Sequence, residues 1–339
     1  MAGSRLELVF GGTPPDGRML LIGADAQTDL SHFDPARTQI VQRRFPDVSA
    51  LQARGFAPVT AAEGSFDAAV VFLPRARAEA HARIAEAVAH LAPGASLWID
   101  GQKTDGIDAA LKEMRTLAPV DEPQSRAHGK IFHLTLPDAG WVPADWADRD
   151  IQAAPGFVTR AGVFSADGPD PASVALAAHL PEKLPTRMVD LGAGWGWLSA
   201  EVLKRPGVAT LHLIEADAVA LDCARRNITD PRAQFHWADA LNFRLAEPVN
   251  GVVMNPPFHE GRAADPSLGA GFIRAAAGLL TGAGRLWMVA NRHLPYEAVL
   301  RESFADVQEI GGDTRFKILT ATGARRPGTA KSVPKGRRR

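Results

Sequence analysis

The sequence has a single cysteine, Cys223. One thiol excludes internal disulfides and any zinc site built on several cysteines. The ten histidines offer no substitute. No H-x-x-x-H or H-E-x-x-H spacing occurs among them, so no metal is expected. No uncharged run reaches 18 apolar residues, and no membrane span is predicted. The opening residues, Met1-Ala2-Gly3-Ser4-Arg5, lack the basic-then-apolar pattern of a secretory signal. A cytoplasmic protein is expected. Net charge is also missing, with 38 basic and 38 acidic residues. That balance is uneven. The last sixteen residues carry seven bases and no acid, which leaves 31 basic against 38 acidic residues elsewhere. Such an end either makes weak contacts with nucleic-acid phosphates or is a solvated terminus.

What is present is ordinary globular composition over 339 residues: 46% hydrophobic and 22% charged. That length suits two domains, each with its own core. Short apolar runs alternate with helical patterns in both halves. In the second half, strands are expected over 187–191, 210–215, 234–238, 251–254, 284–290 and 315–321. Helices are expected over 197–204, 218–227, 272–280 and 295–304. The alternation predicts a mostly parallel, doubly wound α/β sheet, with a last strand that is either parallel or antiparallel.

The first half reads as a worn copy of the second. Residues 18–24 match 187–193, and 66–75 match 249–258. Leu97-Trp98-Ile99 corresponds to the run through Leu286-Trp287-Met288-Val289. The differences fall on polar and glycine positions. Leu21 stands for Asp190, Asp25 for Gly194 and Gln27 for Gly196, while Phe72-Leu73-Pro74-Arg75 replaces Asn255-Pro256-Pro257-Phe258. The first copy keeps the strands and loses the chemistry. The expected layout is a degenerate domain over 1–140, a linker over 141–156, a catalytic domain over 157–323 and a basic tail over 324–339.

Three features of the second copy point to one ligand. Asp190 ends a strand and leads into Gly192-Ala193-Gly194-Trp195-Gly196. Glycines there let a backbone turn sharply and approach a ligand. A dinucleotide fingerprint would need a glycine at Trp197. An acid before the loop suits an ammonium group, which favours S-adenosylmethionine over NAD. Glu215 closes the next strand, where a carboxylate can accept from both ribose hydroxyls. Asp239, followed by Ala240, closes the strand after that. Its carboxylate either accepts from an adenine amino group or caps a helix.

The most specific feature is Asn255-Pro256-Pro257-Phe258, placed after a purely apolar strand. Ligands of open α/β sheets bind at the carboxyl ends of strands. Two prolines hold the backbone extended. The Asn255 side-chain oxygen and the Pro256 carbonyl are then free to accept from one NH2 group. An aromatic amine is a poor nucleophile because its lone pair is delocalised. Two acceptors orient it and return electron density to nitrogen, so positioning provides most of the acceleration. Phe258 is suited to stacking on a flat base.

On these residues the chain resembles the bacterial 16S rRNA guanine-N2 methyltransferases built from tandem class I methyltransferase-like domains. The marks are Gly162-Val163-Phe164-Ser165, the loop from Asp190 to Gly196, NPPF and its continuation to Gly261, Leu294-Pro295-Tyr296 and Phe316-Lys317. Leu73 to Ala80 carries the likeness in the first half. The resemblance implies two Rossmann-like domains, the first inactive and supporting folding or RNA binding. It implies S-adenosylmethionine held by Asp190, Gly192, Gly194, Gly196, Glu215, Asp239, Ala240 and Asn255. The NPPF residues would hold a guanine of the small ribosomal subunit. A monomer without metal or membrane association is expected. A guanine of 23S rRNA, another amine as methyl acceptor and a non-enzymatic RNA-binding assembly factor are the alternatives.

Overall fold

The computed structural model describes residues 5–137, 140–257, 259–260, 263–264 and 266–325. Phe258 and most of the basic tail, residues 326–339, lie outside the described residues. The chain divides into two compact units. One is Met1–Asp167 with Asp217–Val219; the other is Gly168–Ala216 with Ala220–Arg339.

The first unit carries β1 (Met19–Ile22), β2 (Thr38–Val41), β3 (Phe66–Phe72), β4 (Leu91–Gln102), β5 (Gln124–Arg126) and β6 (Gly129–Thr135). They form one sheet in the order β2-β1-β3-β4-β6-β5. Two short strands, β7 (Ile151–Ala154) and β8 (Phe157–Thr159), pair separately. Within 141–156, Trp146 is buried and stacks on His81 with ring centroids 3.9 Å apart.

The second unit carries β9 (Arg187–Leu191), β10 (Thr210–Glu215), β11 (Ala233–Trp237), β12 (Val249–Met254), the short β13 (His259–Glu260) and β14 (Ala263–Ala264), β15 (Leu280–Asn291), β16 (Phe304–Gly312) and β17 (Phe316–Ala324). Its main sheet runs β11-β10-β9-β12-β15-β17-β16. The first five strands are parallel, and β17 is antiparallel to both β15 and β16.

The two sheets repeat one topology. In each, a central strand is flanked by parallel neighbours and an antiparallel pair closes one edge. The irregularity is duplicated too. β3 and β4 slip register between Phe66 and Ala68, and β12 and β15 slip between Val249 and Gly251. The main difference is at the other edge. Where the second sheet has β11, the first has only an isolated parallel bridge from Val41 to Val59.

Apolar residues of β9–β12 alternate between two cores. Val189, Ile214, Val252 and Met254 pack with the helix Pro266–Leu279 and with Val299 and Leu300. Met188, Leu211, Leu213 and Val253 pack on the opposite face with Leu176, Leu198, Val202 and Ala224. Helices therefore cover both faces, as a buried parallel sheet requires.

Three expectations need correction. The helix expected from Phe272 begins at Pro266. Gly269 and Gly271 weaken the helical signal there. Both are packing choices: a Cβ on Gly269 would come within 2.0 Å of Tyr296 Oη, and one on Gly271 within 2.9 Å of Leu241. The helix expected over 295–304 runs Glu297–Ser303, and a strand absent from the expected elements, β16, starts at Phe304. β16 is an edge strand with mostly exposed side chains, so it lacks an apolar period. β17 also continues to Ala324 rather than stopping at Ala321.

Candidate active site

The site is assembled at the carboxyl ends of β9, β10, β11 and β12. Register sets the juxtaposition. Val253 of β12 pairs with Asp190 of β9, so Asn255 and Gly192 leave adjacent strands at the same level. Strand neighbours lie about 4.8 Å apart. On the other side Ile214 pairs with Leu191, and Glu215 pairs with Trp237. Asp239 follows two residues later.

All three glycines of the loop have positive φ: +83° at Gly192, +55° at Gly194 and +90° at Gly196. A side chain is disfavoured at each, for different spatial reasons. At Gly196 a Cβ would meet Ile228 at 2.8 Å and Ala224 at 3.3 Å, so this glycine seats the loop against the helix Ala218–Asn227. At Gly192 it would meet Phe272 at 3.3 Å. At Gly194 it would meet nothing within 4 Å. That open space beside bare backbone is what a cradle for a ligand needs.

The acids take distinct positions. Glu215 Oε2 accepts from Gly194 N at 2.8 Å, joining the end of β10 to the glycine loop. Asp190 is 1% exposed, and its Oδ2 accepts from Ser199 Oγ at 2.7 Å. Burial raises its pKa to about 7; the Ser199 hydrogen bond opposes the shift and the Glu215 charge adds to it. Asp239 accepts from Leu241 N at 2.9 Å and from Asn242 Nδ2 at 2.6 Å. It thus caps a turn and not a helix. Ala240 beside it is buried.

Asn255 is half-buried, Pro256 buried and Pro257 exposed. The Asn255 amide donates to Asp170 Oδ2 at 2.8 Å and to Ser173 Oγ at 2.9 Å. Its Oδ1 is buried and has no hydrogen-bond partner among the described residues. Asp170, Ser173 and Ser199 did not emerge from the sequence reading. The Asp-Pro-x-Ser pattern marks a helix start. It gives no sign of a contact with a residue 85 positions away.

At the corresponding end of the first sheet, side chains occupy positions that the second sheet leaves open. Asp25 accepts from Gln27 N and Thr28 Oγ1, locking the loop on itself. Gln42, at the position of Glu215, donates to Ala24 O. Arg83 donates to Phe72 O, and a Cβ on Gly23 would fall 1.9 Å from its guanidinium. A cavity of about 370 Å³ does lie there, lined in part by Arg43, Arg83, Glu86, Asp148 and Arg160. Its arginines are paired, Arg43 and Arg83 with Glu79, and Arg160 with Asp148. No group of three or more His, Cys, Asp or Glu among the described residues could hold a metal ion. Nor is any described helix long and apolar enough to cross a membrane.

Known proteins share this arrangement. Residues 15–149 match the family model "Methyltransferase small domain N-terminal", and residues 155–320 match "Methyltransferase small domain". A ribosomal RNA small subunit methyltransferase C of Psychromonas ingrahamii is 30% identical over 270 residues, covering 76% of each chain. The chain belongs to the ribosomal RNA small subunit methyltransferase C family. A second member, from Shewanella halifaxensis, is 30% identical over 76% of this chain and 77% of its own. Among solved structures, the T. thermophilus 16S rRNA N2 G1207 methyltransferase in complex with AdoMet and guanosine superposes with a TM-score of 0.79. It is 25% identical and covers 93% of this chain and 91% of its own.

Proposed function

We propose that the second unit transfers a methyl group from S-adenosylmethionine to the exocyclic 2-amino group of a guanine in 16S rRNA. The target is the guanine equivalent to the G1207 named for the T. thermophilus enzyme. The observation that carries the site assignment is Asn255: a buried acceptor, without a partner among the described residues, level with the glycine loop.

The residues present fit the cofactor. The open space at Gly194 and the left-handed glycine loop let the cofactor approach the backbone closely, and Glu215 provides acceptors for the ribose. Asp190 supports the loop from below through Ser199. Gly196 seats it on its helix, and Asp239 with Ala240 borders the adenine end. When bound, the cofactor supplies a methyl group on a positively charged sulfur.

Asn255 Oδ1 and the Pro256 carbonyl hold the two amine protons of the target guanine. This orients the nitrogen lone pair and returns electron density to it. A strong base is unnecessary, because the amine proton becomes acidic only once nitrogen has gained a fourth bond. Pro257 keeps the strand end extended. Phe258, outside the described residues, is assigned to stacking on the base. The first unit is assigned a supporting, non-catalytic role. The protein is assigned to the cytoplasm as a monomer, with the small-subunit RNA as its partner.

The test offers purified protein and labelled cofactor to small and large subunits from a strain lacking the gene. N2-methylguanosine confined to small-subunit RNA is the expected result. Label in large-subunit RNA would replace the proposed substrate. Asn255→Ala should keep cofactor affinity and lose methylation; equal turnover would remove Asn255 from its role.

A further inference from the structure

We infer that Asp170 and Ser173 are positioning residues for catalysis, fixing and polarising the Asn255 amide. The inference rests on the reading of Asn255 as an acceptor for the target amine.

An asparagine amide has one accepting oxygen and two N–H donors. Here both nearby acceptors converge on the nitrogen. Asp170 Oδ2 lies 2.8 Å from Nδ2, and Ser173 Oγ lies 2.9 Å from it. The oxygen is buried and has no partner among the described residues. A buried acceptor without a partner is costly, so a resting structure that keeps one calls for a ligand donor. With both donors tied, the amide cannot rotate by half a turn. Rotation would face an NH2 group toward the guanine NH2, donor against donor.

Asp170 adds charge to this geometry. A donor bound to a carboxylate makes a stronger hydrogen bond than one bound to a neutral oxygen. Electron density withdrawn from the N–H bonds toward nitrogen passes through amide resonance to Oδ1. The oxygen becomes a better acceptor, as expected for chained hydrogen bonds. Asp170 Oδ2 also accepts from Ser173 N at 2.9 Å, capping the helix Pro171–His179. One carboxylate oxygen therefore links that helix to the end of β12.

The two roles, cap and positioner, can be separated. Ser173→Ala removes only the hydroxyl from a helical position where alanine is favoured. Asp170→Ser keeps a capping oxygen but is too short to reach Asn255. Each should lower kcat about 10- to 100-fold, the scale expected when a reacting group is misplaced. Cofactor affinity and melting temperature should stay near wild type. Asp170→Asn, which keeps the contacts without the charge, should fall between. In a double-mutant cycle read on the residual turnover under single-turnover conditions, Ser173→Ala should have no further effect once Asn255 is alanine.

Wild-type turnover in Ser173→Ala and Asp170→Ser, with Asn255→Ala inactive, would overturn the positioning role and leave the acceptor reading standing. An undiminished extra loss in the Asn255→Ala background would also overturn it, because the residue would then act independently. Wild-type turnover in Asn255→Ala itself would overturn both readings. If Asp170→Ser melts early, the Ser173→Ala cycle decides alone.

Discussion

Gly194 donates its backbone N–H to Glu215 Oε2 at 2.8 Å. The contact ties the glycine loop after β9 to the end of β10, and it places an acid beside the open space at Gly194. In the first sheet the same two positions are Asp25 and Gln42; Asp25 accepts from Gln27 N and Thr28 Oγ1, and Gln42 donates to Ala24 O, so the loop-to-strand tie is absent.

Gly194→Asp imitates that first copy. Aspartate tolerates left-handed backbone better than most residues, and a Cβ at Gly194 meets nothing within 4 Å. The fold should therefore survive, with a melting temperature within a few degrees of wild type. The new carboxylate would stand in the ligand space next to Glu215. Cofactor binding by calorimetry should fall at least about 100-fold, equivalent to about 2.7 kcal/mol. Unchanged affinity would remove the loop from the cofactor site.

Asp190 makes the free protein pH-sensitive. Its folded pKa of about 7 lies above the ordinary carboxylate value of 3.8, because burial disfavours the charge. The folded state then holds a proton that the unfolded state has released. Stability from this group is full below about pH 4 and is lost as pH rises toward 7 and beyond. Asp190→Asn should flatten that decline. Melting temperatures across pH 4–8 for the two proteins check it, and parallel curves would contradict the assignment.

Arg5 and Asp100 form an ion pair at 2.5 Å with side chains only 12% and 9% exposed. Burial pushes the Asp100 pKa up, and Arg5 partly offsets it. Arg5→Ala should destabilise the first unit by about 3–5 kcal/mol, since it strands a buried charge. Adding Asp100→Asn should recover part of that loss. Urea denaturation of both variants measures the difference. A double variant no more stable than Arg5→Ala would show that the pair is not the source.

How much of this was legible beforehand follows the range of the forces involved. β9, β10 and the helix Ala218–Asn227 run as the sequence pattern predicts. Buried parallel strands are continuous apolar runs, and glycine or acid boundaries end them sharply. β16 was not legible, because beyond Phe304 most of its side chains are exposed and backbone pairing to β17 defines the strand. The early turns of the helix from Pro266 were hidden by Gly269 and Gly271, whose reasons are Tyr296 and Leu241, both distant in sequence.

The sequence alone determined the duplicated α/β plan, the intact and degraded copies, and the residue types of a methyl-transfer site. Those are local properties: periodicity, glycine placement and a proline-fixed strand end. Tertiary structure decided how those residues are used. It buries Asp190 beneath the loop with Ser199, joins Glu215 to Gly194, and brings Asp170 and Ser173 to the Asn255 amide. Hydrogen bonds between residues tens of positions apart depend on strand order and register, and no local pattern encodes them.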